Sequence, residues 1–206
     1  MCGIVGAAAE RNVVGILLEG LQRLEYRGYD SAGLTVMNAD QHIKRYRAVG
    51  KVQALKDTCH AAAPVGTIGI AHTRWATHGK PTQNNAHPHL SCEAVSLVHN
   101  GIIENHEALR QELTEQGYHF ESETDTEVMA HLIHHLVAAC GDFRQGVSQA
   151  LTRLEGAYAI AVQHRDFPDR LIGARQGSPL VVGLGIGENF IASDPQALRP
   201  VTDRFI

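Results

Sequence analysis

Apolar side chains recur at Val13, Ile16, Leu17, Leu21 and Leu24, a spacing of three and four that predicts one buried helical stripe within Arg11 to Leu24. The glycines of the following RGYDSAG stretch, Gly28 and Gly33, with Asp30 between them, end that helix. Short β-branched runs then predict strands at Leu34 to Met37, Ile43 to Arg47, Thr67 to Ala71 and Ala94 to Val98. The helical period returns near Asn105, with Leu109 and Leu113 inward and a stop at Gly117. A second helix starts around Thr124 to Glu127 and carries Val128, Leu132, Leu136 and Val137 to Gly141. Asp142 can cap a third, which holds Val147, Leu151 and Leu154. Four short apolar segments follow: Tyr158 to Val162, Arg170 to Ala174, Leu180 to Val182 and Phe190 to Ala192. At the other end, Cys2-Gly3-Ile4-Val5-Gly6 reads as a first core strand.

Strands and helices come in clusters and do not alternate strictly. That predicts an α+β fold, largely antiparallel, with helices against the outer faces of the sheets. No repeat, low-complexity segment or linker divides residues 1–206, so a single domain is expected. The last residues end on the apolar pair Phe205-Ile206, which suggests a cut inside a longer protein.

Composition narrows the function. A chain of 206 residues with 44% apolar content can bury a full core without disulfide or metal staples. The formal charge of −4 supplies no basic field for nucleic acid or an anionic membrane. No apolar run approaches the length of a membrane span, and the start lacks a signal-peptide pattern, so a cytoplasmic location is expected. Cys2, Cys59, Cys92 and Cys140 show no CxxC spacing and read as free thiols.

Several stretches carry candidate chemistry. Cys2 behind the initiator is either a core thiol or, once Met1 is removed, a nucleophile bearing its own α-amine, which titrates near ~7.7–8.0 and can move protons at neutral pH. IAHTRWATHGKP, Ile70 to Pro81, reads as a strand running into a polar loop, where Arg74 is either a fork for a carboxylate or a surface arginine stacked on Trp75. In VHNGIIENH, Asn100-Gly101 follows a strand; it is either a turn or a side-chain amide and an unhindered N–H aimed at one oxyanion. Asp125 is a first-turn helix acid or a clamp for an ammonium group. His87 and His89 of NAHPH, with His131, His134 and His135, raise a metal site. However, HxH without a matched third ligand does not define one, and the latter three read as solvated helix residues. GLGIGENF, Gly183 to Phe190, is a hairpin; a dinucleotide loop would need a helix after it.

Taken in order, CGIVG, RLEYRGYDSAG, HTRWATHG, NAHPH, HNGIIENH, SETDTEV and GSPLVVGLGIGENFIASD span nearly the whole chain. Together they resemble the N-terminal glutaminase domains of the glutamine–fructose-6-phosphate aminotransferase family. These are class II glutamine amidotransferases, N-terminal nucleophile hydrolases that act on L-glutamine without a cofactor or metal. The resemblance implies an αββα sandwich of two antiparallel sheets between helical layers. It places the nucleophile on Cys2, with its freed α-amine as base, and the oxyanion hole on Asn100 and Gly101. Arg74 falls on the carboxylate-binding arginine, with Thr77 and His78 beside it, and Asp125 on the acid that holds the α-ammonium. Trp75 matches a tryptophan that gates ammonia, and Arg27 and His87 match residues lining or supporting the site. The implied partner is a C-terminal isomerase domain that binds fructose 6-phosphate, in a homo-oligomeric parent. Two departures stand out: Met1 is present in the sequence, and the isomerase half is not.

Overall fold

The structure, a computed structural model, describes residues 2–75 and 82–206. It has two antiparallel sheets packed face to face. The first orders six strands as β3-β2-β4-β1-β10-β9: β1 (Gly3–Ala9), β2 (Ser31–Met37), β3 (Ile43–Val49), β4 (Ile68–Arg74), β9 (Val181–Leu184) and β10 (Glu188–Ala192). The second orders β5 (His89–Ser91), β6 (Val95–Ile103), β7 (Gly156–His164) and β8 (Leu171–Gln176) in sequence. Helices α1 (Val14–Arg23) and α2 (Val52–Ala62) cover the outer face of the first sheet. Helices α3 (His106–Glu115), α4 (Asp125–Cys140) and α5 (Phe143–Leu151) cover that of the second. This is the four-layer α+β sandwich that the sequence implies.

Strand alternation sorts the side chains into three cores. On β1, Val5 and Ala7 face α1, while Ile4 faces the opposite sheet and joins Ile70 of β4 and Val98 of β6. The same period puts Cys2, His72 and Asn100 on these inner faces, beyond one end of a small apolar core formed by Ile4, Ile70, Val98, Ala159, Ala161 and Ile191. Polar groups also meet between the sheets. Thr35 Oγ1 lies 2.8 Å from Ser96 Oγ and accepts the Gln163 amide at 2.9 Å.

Strand β5 has no counterpart among the expected elements, and three other differences have a readable physical cause. Helix α2 carries no sequence signal strong enough to predict it. Only Val52, Leu55 and Cys59 are buried on it, and the position before it, Lys51, offers no cap. Its first N–H is instead satisfied from a distance, by the Glu25 carboxylate at 3.0 Å. Helix α1 starts at Val14, later than Arg11, because Asn12 turns its side-chain oxygen onto the Val14 N–H. The third difference is at Asn100-Gly101, which is no turn: β6 runs through it and pairs Gly101 with Tyr158 of β7.

Candidate active site

Antiparallel register assembles the site. Gly3 stands opposite Thr73 and Ile4 opposite His72, which brings Cys2 to the end of β4. There the Trp75 N–H donates to Cys2 Sγ at 3.2 Å, and the thiol approaches the Trp75 carbonyl at 3.5 Å. From the facing sheet, Asn100 donates its Nδ2 to the Cys2 carbonyl at 3.1 Å. Helix α4 then contributes its first residue, Asp125.

These residues enclose a cavity of about 270 Å³. Of the sequence candidates, Cys2, Arg74, Trp75, His87, Asn100, Gly101 and Asp125 all line it. Arg27 stands elsewhere: its guanidinium bonds Asp194 and the Tyr26 hydroxyl, which ties the segment after α1 to the end of β10. Thr77 and His78 lie outside the described residues. The lining also includes His99, Ile102, Thr124, Thr126, Ser178 and Pro179, to which the sequence reading assigned no role. His99 and Thr126 sit one residue from an assigned neighbour. Strand alternation and the helix start could have marked both.

Gly101 is the position where local geometry matters most. Its φ is +135°, and a Cβ there would stand 2.0 Å from the Ala157 carbonyl oxygen. Only glycine passes so close to β7 in that conformation while keeping its backbone against the cavity. A second close approach occurs at Gly28, φ +80°, where a Cβ would fall 2.3 Å from the Trp75 ring. The indole lies against that bare backbone and remains 54% exposed.

The electrostatics are arranged in opposite signs. Arg74 is buried, not the stacked surface arginine that the sequence also allowed, and its Nη1 lies 3.8 Å from the Asp30 carboxylate. Asp125 is buried too; it accepts the Ile103 N–H at 2.9 Å, with His99 Nδ1 3.7 Å away. Its place in the first turn of α4 favours negative charge there. Burial pushes the Cys2 thiol pKa up, partly offset by the Trp75 backbone bond and nearby Arg74. The resting group is therefore a thiol and needs a base.

Four buried histidines stand together here: His87 and His99 line the cavity, and His72 and His89 pack against His87. The rings of His72 and His87 stack at 4.2 Å, and His89 meets His87 edge-on at 4.8 Å. Thr126 Oγ1 joins His87 Nε2 at 2.7 Å to His99 Nδ1 at 3.1 Å. Desolvation holds His72 down to about 3, and His87 and His89 well below the ordinary histidine value. His131 lies in a separate place. It is buried, against the solvated position expected for it, with Nδ1 2.7 Å from Ser91 Oγ and Nε2 3.1 Å from the His119 carbonyl. Among the described residues, no group of three histidine, cysteine or acidic side chains is placed to hold a metal ion.

Comparison with known proteins points the same way. Residues 72–200 match a family described as the glutamine amidotransferase domain. The whole chain is 62% identical to glutamine–fructose-6-phosphate aminotransferase [isomerizing] of Idiomarina loihiensis, 59% to that of Escherichia coli K12 and 58% to that of Pseudomonas aeruginosa. In each case it covers 34% of the relative, so the chain spans about a third of the length of the curated proteins it matches. Among solved structures, glutamine phosphoribosylpyrophosphate amidotransferase from B. subtilis superposes with a TM-score of 0.84 at 26% identity. That match covers all of this chain and 44% of that one. A glutamine aminotransferase class-II domain protein from Silicibacter pomeroyi shares the fold, with a TM-score of 0.63 at 16% identity, covering 94% of this chain and 88% of that one.

Proposed function

Because the chain belongs to the glutamine amidotransferase domain family, we propose that its cavity takes L-glutamine and hydrolyses the γ-amide to L-glutamate and ammonia. One observation carries the reading: a single compact cavity presents a buried cation, a buried carboxylate and a thiol. Glutamine has one complement for each. Its α-carboxylate pairs with the planar fork of Arg74, its α-ammonium with Asp125, and its γ-carbonyl lies before Cys2.

The sulfur of Cys2 attacks the γ-carbonyl carbon as the thiol proton passes to a base. Among the described residues, the hydrogen-bond partners of Sγ are backbone groups of Trp75, and none is a side-chain base. That favours the α-amine of Cys2 itself, freed once Met1 is removed. The developing oxyanion is received by Asn100 Nδ2 and the Gly101 N–H; loss of one such donor costs about 3–4 kcal/mol in comparable sites. The amine returns the proton to the leaving nitrogen, ammonia departs, and water cleaves the γ-glutamyl thioester. From the family resemblance we assign Thr77 and His78 to substrate binding, with His87 in the cavity wall; Arg27 acts at a distance from the cavity, through its bond to Asp194.

In the longer protein, residues 1–206 act as the glutaminase domain and a C-terminal isomerase domain receives the ammonia to convert fructose 6-phosphate into glucosamine 6-phosphate. We assign the gate between the two to Trp75, which lines the cavity and is half exposed. We place the parent in the cytoplasm as a homo-oligomer; no helix among the described residues is long and apolar enough to cross a membrane.

The test is intact mass before and after exposure to 6-diazo-5-oxo-L-norleucine, a glutamine analogue that alkylates such cysteines. Loss of one methionine and a single adduct mapped to Cys2 is the expected result. A processed chain that forms no adduct, while glutamine is also not hydrolysed, overturns the assignment.

A further inference from the structure

Three imidazole nitrogens at the cavity wall and just beneath it, His72 Nδ1, His87 Nδ1 and His99 Nε2, are buried without a hydrogen-bond partner among the described residues. Buried polar atoms are normally satisfied, so this cluster holds its rings in place for another reason. At His72 that reason can be read from the opposite ring nitrogen. Nε2 lies 3.0 Å from the His99 carbonyl and 2.9 Å from the Asn100 side-chain oxygen. A backbone carbonyl can only accept, so Nε2 must carry the proton. The Asn100 atom facing that N–H must then be Oδ1, because an amide NH₂ there would set donor against donor. The other end of the amide obeys the same logic, since Nδ2 faces the Cys2 carbonyl at 3.1 Å, another pure acceptor.

We propose that His72 is a positioning residue that fixes the rotation of the Asn100 amide, so that Nδ2 and not Oδ1 is presented to the reacting carbonyl. This deepens the glutaminase reading and rests on it. An amide turned by 180° would place a partial negative charge where the oxyanion forms, converting a stabilising group into a repulsive one. Nδ2 has two hydrogens. One is engaged by the Cys2 carbonyl, and the second is available to the cavity that Asn100 lines. His72 performs this role as a neutral ring. An imidazolium would need an acceptor at Nδ1, where the stacked His87 ring supplies none. Burial keeps it neutral down to about pH 3, so the lock holds across the working range.

The experiment is a double-mutant cycle on glutamine hydrolysis by the processed chain, with His72→Leu and His72→Gln made in the native and the Asn100→Ala backgrounds. His72→Leu should lower kcat at least tenfold with KM within twofold. His72→Gln, whose amide N–H reaches close to the Nε2 position, should recover most of that loss. In the Asn100→Ala background, neither substitution should lower kcat further. The ¹⁵N spectrum of the native ring should show the Nε2–H tautomer, a readout that needs no turnover. Equal loss of kcat in both backgrounds, a KM effect without a kcat effect, or an Nδ1–H tautomer would overturn the proposal. A native chain that is processed but hydrolyses no glutamine would overturn the underlying reading, and this one with it.

Discussion

The role proposed for Arg74 rests on a shape of charge that lysine lacks. Its guanidinium is buried at the end of β4, with Asp30 the neighbouring carboxylate. Arg74→Lys keeps the charge and loses the paired donors that match a carboxylate in two places. Charged hydrogen bonds contribute about 1.5–3 kcal/mol, so KM for glutamine should rise roughly 10- to 100-fold, with a smaller change in kcat. Steady-state kinetics decide this, and an unchanged KM would make Arg74 a structural residue. Cys2→Ala addresses the chemistry itself: hydrolysis should vanish while the circular dichroism spectrum and melting temperature stay near native. Turnover by a folded Cys2→Ala protein would remove the nucleophile assignment.

At the scale of the element, the start of α4 anchors the turn and presents Asp125, the proposed partner of the α-ammonium, to the cavity. Thr124 Oγ1 accepts the Glu127 N–H at 3.3 Å, and the Glu127 carboxylate reaches back to the Ser122 N–H at 2.7 Å and the Glu121 N–H at 2.9 Å. This variant of a capping box uses Thr-x-x-Glu spacing to anchor the turn that presents Asp125. Thr124→Ala should destabilise the protein by about 1 kcal/mol. In denaturant titration this appears as a lower midpoint with the slope unchanged. A midpoint equal to that of the native chain would show that Ser122 and Glu127 hold the turn without the threonine.

Across the whole molecule, the buried histidines at the cavity tie stability to pH. His72, His87 and His89 have folded pKa values far below those of the unfolded chain, through burial above all. Below about pH 6.5 the unfolded chain takes up protons that the folded one refuses. Stability is therefore level at neutral pH and falls on acidification, by about 1.4 kcal/mol per pH unit for each such histidine. His131, His134 and His164 are shifted down as well and act in the same direction. Unfolding free energies measured at pH 7 and pH 5 should differ by several kcal/mol. Equal values would mean that the cluster is already protonated in the folded state.

Much of this protein was determined by its sequence alone. Periodicity located α1, α3, α4 and α5 and most strands, because one face of each packs on a core and the repeat of apolar residues records that directly. The ordered motifs identified the family, and with it Cys2, Arg74, Asn100, Gly101 and Asp125, which the structure gathers around one cavity. Local signals failed where satisfaction comes from far along the chain. Asn100-Gly101 has the composition of a turn, yet pairing with β7 holds it in a strand. Helix α2 borrows its first acceptor from Glu25. His131 is written on a helix face with other histidines, and Ser91 of β5 and the His119 carbonyl make its burial tolerable. His72 is likewise unremarkable within HTRW; its bond to Asn100 exists because β4 and β6, strands of different sheets, turn these two side chains toward each other across the sandwich. Sequence patterning sets which face of an element is buried. Which polar groups meet there depends on register and on the packing of the two sheets, and those are properties of the assembled fold.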